Sequence, residues 1–144
     1  MLKKIPPVVS PALMKTLMQM GHGDEICIAD GNFPSESMGQ RVVRLDGHGA
    51  AEVLDAMLQF FPLDTVVDQP VALMETVNPN EPQPQIWDEY RRVIDASEES
   101  GAFDDFEMVE RFAFYERARQ CYAVAATGET ALYANIILKK GVVK

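Results

Sequence analysis

The feature that most constrains this chain is a change of hydrophobic period that repeats along its length. Apolar residues recur at helical spacing in Leu13, Met14, Leu17 and Met18, then run together in Ile26-Cys27-Ile28-Ala29, then return to helical spacing in Val53, Leu54, Met57, Leu58 and Phe61. Turn residues separate these stretches, so helix and strand signals alternate. A chain patterned in this way folds as a layered α/β domain, its sheet covered by helices. With 144 residues it has room for one domain and one proper core. The expected architecture is a single-domain layered sandwich over residues 1–144, with a mixed sheet of about six strands covered by helices.

Local signals set the elements. Ser10 as N-cap and Pro11 at the first helical position open a helix that Gly21 ends. Residues 25–29 read as a buried strand closed by Asp30 and the turn-rich segment Asp-Gly-Asn-Phe-Pro-Ser-Glu-Ser. Residues 41–45 form a second strand, and the segment 46–61 continues as a helix that Pro62 stops. A third strand, 71–77, precedes the Pro-rich 78–84, a surface loop. Gln85 to Ala96 is a helix with Ile86, Tyr90, Val93 and Ile94 on one stripe; Trp87 beside it reads as core or interface. The acidic 97–105 reads as a solvated connection. Strand 106–110, helix 111–120, strand 121–127, a Gly-Glu turn and strand 131–141 complete the chain. The last two strands lie too close in sequence for a helical crossover, hence a sheet partly parallel and partly antiparallel.

Charge excludes some partners. Thirteen Lys and Arg against 22 Asp and Glu leave −9, which repels nucleic acid and anionic membranes. Pro6, Pro7 and Pro11 interrupt any signal-peptide-like run at the start, and no stretch approaches a membrane span. Cys27 and Cys121 sit in separate apolar runs and read as two buried thiols, which suggests a reducing cytoplasm.

The two histidines both lie in Gly-His-Gly, His22 just past a helix end and His48 between a strand and a helix. The second resembles the opening of a dinucleotide loop, but Glu52 stands where a small residue is needed and would repel a pyrophosphate; His48 reads as an exposed turn residue. Two histidines 26 positions apart and two isolated cysteines match no zinc spacing, and no Gly-x-Ser-x-Gly elbow supports a nucleophilic triad. No metal and no cofactor are expected. What remains at the ends of elements is His22, Asp30, Arg111, Tyr133 and Asn135. A carboxylate, a guanidinium, a phenol and an amide together supply the donors and acceptors that a small polyol requires.

Met-Gly-His-Gly-Asp-Glu-Ile-Cys-Ile-Ala-Asp (20–30), Phe-Pro-Ser-Glu-Ser-Met-Gly (33–39), Arg-Val-Val-Arg-Leu-Asp-Gly (41–47), Arg-Phe-Ala-Phe-Tyr-Glu-Arg-Ala (111–118), Thr-Gly-Glu (127–129) and the block from Tyr133 to Val142 strongly resemble the L-fucose mutarotase family, relatives of the D-ribose pyranases. The resemblance covers nearly the whole chain. It implies an isomerase that interconverts sugar anomers, with His22 as catalytic proton donor and Asp30, Arg111 and the stretch Tyr133, Ala134, Asn135 binding a monosaccharide. It also implies a homo-oligomeric ring, a decamer of two pentamers, with sites at subunit contacts. The family's Tyr-Gly-Asn is Tyr133-Ala134-Asn135 here. A glycine needed for positive φ or for close approach of sugar would make Ala134 a strain; a merely extended position would not. Pyranose/furanose interconversion of a pentose, or a ring that binds sugar without turnover, are the alternatives.

Mutarotation needs a proton delivered to the ring oxygen while another leaves the anomeric hydroxyl, and His22 near a helix end with Asp24 and Glu25 beside it is suited to the charged form. The strand from Glu25 to Asp30 spans about 17–20 Å at about 3.3 Å per residue, more than one monosaccharide bridges. Either the Gly21 to Asp24 turn folds back over the sheet, or His22 of one copy meets Asp30 of another; the second is the expectation.

Overall fold

The computed structural model describes residues 1–144. Its elements are α1 (Pro11–Gln19), β1 (Glu25–Ala29), α2 (Ser35–Met38), β2 (Val42–Leu45), α3 (Ala50–Leu58), β3 (Val71–Met74), α4 (Gln85–Ala96), β4 (Glu107–Val109), α5 (Arg111–Gln120), β5 (Ala123–Thr127) and β6 (Ile136–Lys139), with a 3-10 turn at Glu98–Ala102. One six-stranded sheet runs in the order β2-β5-β1-β6-β3-β4. β2, β5 and β1 are mutually parallel, β3 is parallel to β4, and β6 runs antiparallel to both β1 and β3. Five strands therefore point one way and β6 the other, the mixed α/β sheet expected.

Side chains that alternate along each strand build two cores. Ile26, Ile28, Val71, Leu73, Ile136 and Leu138 face α1, α3 and α4, whereas Cys27, Ala29, Ala72, Val124 and Ile137 face α5 and its Phe114 and Ala118. The central strands are buried on both faces, which is why they read as unbroken apolar runs. Both thiols are free and buried, as expected, and burial pushes each well above the ordinary thiol range, Cys121 to about 12.

The ends of elements differ from the sequence reading in informative ways. The Ser10 Oγ accepts from the Leu13 amide and caps α1, but the helix stops at Gln19, and Met20 is already extended. The turn after Asp30 contains the one-turn helix α2, too short to carry a periodic signal. The acidic connection is not fully solvated: Phe103 and Phe106 are buried from it, their rings 4.8 Å apart. α3 begins at Gly49, which has no side chain to cap with; Glu129, 79 residues later, accepts from the Ala50 amide instead. The same carboxylate accepts from the Thr130 and Ala131 amides, and the adjacent Gly128 lies so close to the Asp46 carbonyl that a Cβ would stand 2.0 Å from it. The Thr-Gly-Glu block is therefore a structural clasp between β5 and α3.

Candidate functional site

β1, β3 and β4 end, and antiparallel β6 begins, along the same edge of the sheet. In open α/β sheets this carboxyl edge is where ligands bind, because strand ends and helix starts splay there. A cleft of about 270 Å³ opens at this edge, lined among others by Asp30, Arg111, Tyr115, Tyr133 and Asn135, with Phe33, Met74, Val77 and Leu132 as its apolar wall. Its size suits a small solute rather than a drug-sized ligand.

Each polar lining residue has a definite seat. Asp30 follows the last residue of β1, is buried, and accepts from the Asn32 amide at 3.0 Å. Burial raises its carboxyl above the usual range, while the amides of Asn32 and Phe33 and the Asn135 side chain pull back against it. Asn135 precedes β6, and its Oδ1 accepts from the Asp30 backbone N–H at 2.8 Å, joining the two strands at the floor of the cleft. Arg111 is the first residue of α5 and has no carboxylate partner; its guanidinium lies 5.7 Å from the Tyr115 ring. A cation at a helix N-terminus works against the helix dipole, and Glu110 offsets it by capping the Phe112 and Ala113 amides. A cation without a carboxylate partner, held at an unfavourable helix end in the same cleft as a buried carboxylate, is a mark of a binding role.

Tyr133 is the strained member, with φ of 57°, one of two non-glycine residues in the left-handed region. Such a conformation costs on the order of 1–3 kcal/mol and persists only where neighbours hold it. α4 does the holding. The Trp87 Nε1–H donates to the Tyr133 carbonyl at 2.8 Å, and the Tyr90 hydroxyl donates to the next carbonyl, Ala134, at 2.5 Å. Burial pushes the Tyr90 phenol well up, so it remains a donor. The Tyr133 hydroxyl in turn accepts from the Val77 amide at 3.3 Å. This geometry ends β6 at Ile136 where an apolar reading extended the strand back to 131, and it answers the question of Ala134. The positive φ belongs to Tyr133, and the Ala134 methyl packs into the core beneath α4 rather than into the cleft. Tyr90 was legible only as a stripe residue and Trp87 only as core or interface beside it; nothing in the spacing reveals that their polar atoms fix a turn 46 and 44 residues away. Phe33, Asn32, Tyr115 and Leu132 were likewise missed as lining residues, since they lie in segments read as turn, helix or strand.

His22 lies at the opposite edge. It precedes β1, beside the end of β6, where the Gly23 amide donates to the Lys140 carbonyl. Its Nε2 is 3.2 Å from Oδ1 of buried Asp64. The expected acidic neighbours are engaged elsewhere: Asp24 accepts from the Gly21 amide, and Glu25 pairs with Arg117 of α5, which also reaches Glu107. The turn does not fold back over the sheet, and His22 is absent from the cleft of its own chain. His48 is half-buried rather than fully exposed, with its Nδ1 3.1 Å from Glu52 one helical turn on. No three His, Cys, Asp or Glu side chains converge in a way that would hold a metal ion, and no helix is long and apolar enough to cross a membrane.

The fold is a three-layer α/β domain, and around a small cleft at the carboxyl edge of its sheet stand a carboxylate, a guanidinium, a phenol and an amide, a set of donors and acceptors that suits a small polyol. The chain belongs to the RbsD / FucU transport protein family, whose model matches residues 3–143. It is 46% identical to the fucose mutarotase of Homo sapiens over 147 residues, covering 98% of this chain and 94% of that protein. Among solved structures it is similar to the fucose mutarotase of Streptococcus pneumoniae in complex with L-fucose, with 48% identity, a TM-score of 0.90, and 99% and 100% of the two chains covered. It is also similar to FucU of Bifidobacterium longum, with 54% identity, a TM-score of 0.91, and 97% and 99% covered.

Proposed function

We propose that this protein is an L-fucose mutarotase, an isomerase that interconverts the α and β pyranose forms of the sugar without metal or redox cofactor. The observation that carries this reading is the convergence of Asp30, Arg111, Tyr133 and Asn135 on one monosaccharide-sized cleft, in a chain that matches fucose mutarotases end to end.

The residues suit the chemistry. The ring oxygen takes a proton as the bond from it to the anomeric carbon breaks, and the anomeric hydroxyl gives one up as the carbonyl forms. The open aldehyde rotates about the bond to its neighbouring carbon, and the reverse proton transfers close the ring on the other face. Positioned acid-base groups accelerate such steps by about 10²- to 10⁴-fold. Arg111 and the Asn135 amide donate to sugar oxygens, Asp30 accepts from a hydroxyl, and Tyr133 closes the wall. The Phe33, Met74, Val77 and Leu132 side packs against the less polar face of the sugar. His22 is the proton carrier in this reading, since imidazole is the side chain that can both give and take a proton in such a step.

His22 reaches a cleft only from a second copy. β1 alone, five residues long, separates the two edges by about 17 Å, so we assign the complete site to a contact between subunits in a homo-oligomeric ring, a decamer of two pentamers. Exposed apolar side chains at both edges favour this: Val77, Phe112 and Leu132 around the cleft, and Met18, Val142 and Val143 on the His22 side. Head-to-tail contact between two different patches generates a ring where the rotation between copies closes. Two buried free thiols fit action in the reducing cytoplasm.

Magnetisation transfer between the α and β anomeric protons of L-fucose is the direct test, run beside D-ribose and other aldoses. Exchange above buffer is expected with L-fucose, almost abolished in His22→Ala and nearly unchanged in His48→Ala. No exchange with any aldose would sink the enzymatic reading, leaving a sugar-binding ring, and exchange only with D-ribose would move the assignment to a pyranase.

A further inference from the structure

We infer that Asp64 is a positioning residue for His22: its carboxylate holds Nε2–H, so that Nδ1 is the nitrogen that exchanges protons with the sugar. This rests on the assignment of His22 as proton carrier. The two residues are 42 positions apart, and Asp64 lies in an irregular segment that no motif marks.

The carboxylate is itself fixed. Asp64 is 4% exposed, its own amide donates to the Lys139 carbonyl, and its Oδ1 accepts from the Val66 amide at 3.0 Å as well as facing His22 at 3.2 Å. An anchored acceptor against one ring nitrogen sets both the tautomer and the plane of the imidazole. The Val66 amide and then His22 hold the Asp64 carboxyl below its usual range, so it stays an anion that only accepts. The charged and titratable groups of the packed segments are Asp24 and Glu25 beside the turn, Asp64, Glu99 against the Leu63 amide, and Lys139 and Lys140 at the end of β6; Asp24 is turned to the Gly21 amide and Glu25 to Arg117. The imidazole is half exposed, which leaves Nδ1 open to a ligand carried by a neighbouring copy.

Asp64→Asn is the informative variant. Because one oxygen, Oδ1, serves both the Val66 amide and Nε2, the Asn oxygen keeps both contacts, and the variant removes only the negative charge that favours the charged imidazole during proton transfer. The expected result is a fall in kcat of about tenfold or more, within the contribution of a general acid-base group, with KM changed less than about twofold because the cleft is untouched. Loss of the negative charge also moves the acid limb of the pH–rate profile to lower pH. In the His22→Ala background Asp64→Asn costs nothing further, whereas a residue that only supports the fold would cost the same in both. Full activity and an unmoved pH profile in a folded Asp64→Asn protein overturn the inference, as does an additive loss in the double variant. Should the variant not fold, or should the wild-type protein exchange no sugar, neutron diffraction of the wild type decides: a deuteron on Nε2 toward Asp64 is required, and a bare Nε2 refutes the arrangement. An active wild type with an active His22→Ala instead refutes the role of His22 itself.

Discussion

At the scale of single residues, the cleft is held in a state that its chemistry requires and its stability resists. Asp30 is buried beside Asn135, and burial raises its carboxyl above the unfolded value. The stability this group contributes is complete below the unfolded pKa and is lost as pH rises through the folded pKa, so at neutral pH the ionised carboxylate opposes folding. Asp30→Asn keeps an acceptor for the Asn32 amide and removes that cost. The expected outcome is lost anomer exchange together with a thermal midpoint at pH 7 equal to or above that of the wild type, read by calorimetry; a variant that loses both would show that Asp30 is structural. Asp64 has the opposite sign. Its contribution is present above the unfolded pKa and is lost as pH falls through its lowered folded pKa, so Asp64→Ala loses its penalty relative to wild type only in acid. Ala134 follows from its place under α4: Ala134→Gly lowers stability by about 0.4–1 kcal/mol through the freedom it gives the unfolded chain, measured by urea unfolding.

At the scale of elements, α4 and α5 have the bounds that the sequence indicates, Gln85–Ala96 and Arg111–Gln120, because a proline or a cap marks each start; a full apolar stripe marks the body of α4, whereas α5 buries only Phe114 and Ala118. The strands were legible as apolar runs, β1 in both its ends, but the end of β3 and the start of β6 were not. β3 stops at Met74 and β6 starts at Ile136 because hydrogen bonds from distant residues end them, the Tyr133 hydroxyl with the Val77 amide and the Trp87 indole with the Tyr133 carbonyl. Such pairings join positions whose contact the chain's order does not reveal. For the same reason Asp30 and Arg111 could be suspected as site residues from their places at element ends, while the clamp that sets Tyr133 could not. That clamp carries a prediction. Trp87→Phe retains the packing and deletes one hydrogen bond, typically a net loss of about 0.5–1.5 kcal/mol, or two- to tenfold. KM for L-fucose rises by about that factor in magnetisation-transfer titrations with kcat little changed, whereas Ile94→Val, a core change on the same helix, lowers stability by about 0.5–1.5 kcal/mol and leaves KM alone. Equal KM values in wild type and Trp87→Phe would remove α4 from the account of the cleft.

At the scale of the whole molecule, the sheet works as a spacer. It carries the cleft residues on one edge and His22 on the other, so in the proposed mechanism one chain owns two half-sites and no complete one. The separation of His22 from Asp30 was legible from strand length alone, yet the direction of the proposed contact depends on which surfaces remain apolar, and only the folded chain shows Phe112 and Leu132 exposed beside the cleft and Met18 exposed near His22. A head-to-tail assembly makes a sharp prediction about mixtures. His22→Ala lacks the proton carrier but keeps a sound cleft; Arg111→Ala lacks a cleft donor but keeps His22. Each is inactive alone. Unfolded together at equal amounts and refolded, they form rings in which about a quarter of the contacts join a wild-type histidine edge to a wild-type cleft edge, if subunits mix at random. Anomer exchange should recover toward about a quarter of the wild-type rate, while the same two proteins mixed without exchange of subunits stay inactive. A site built within one chain predicts no recovery in either case, since every protomer then carries one broken half.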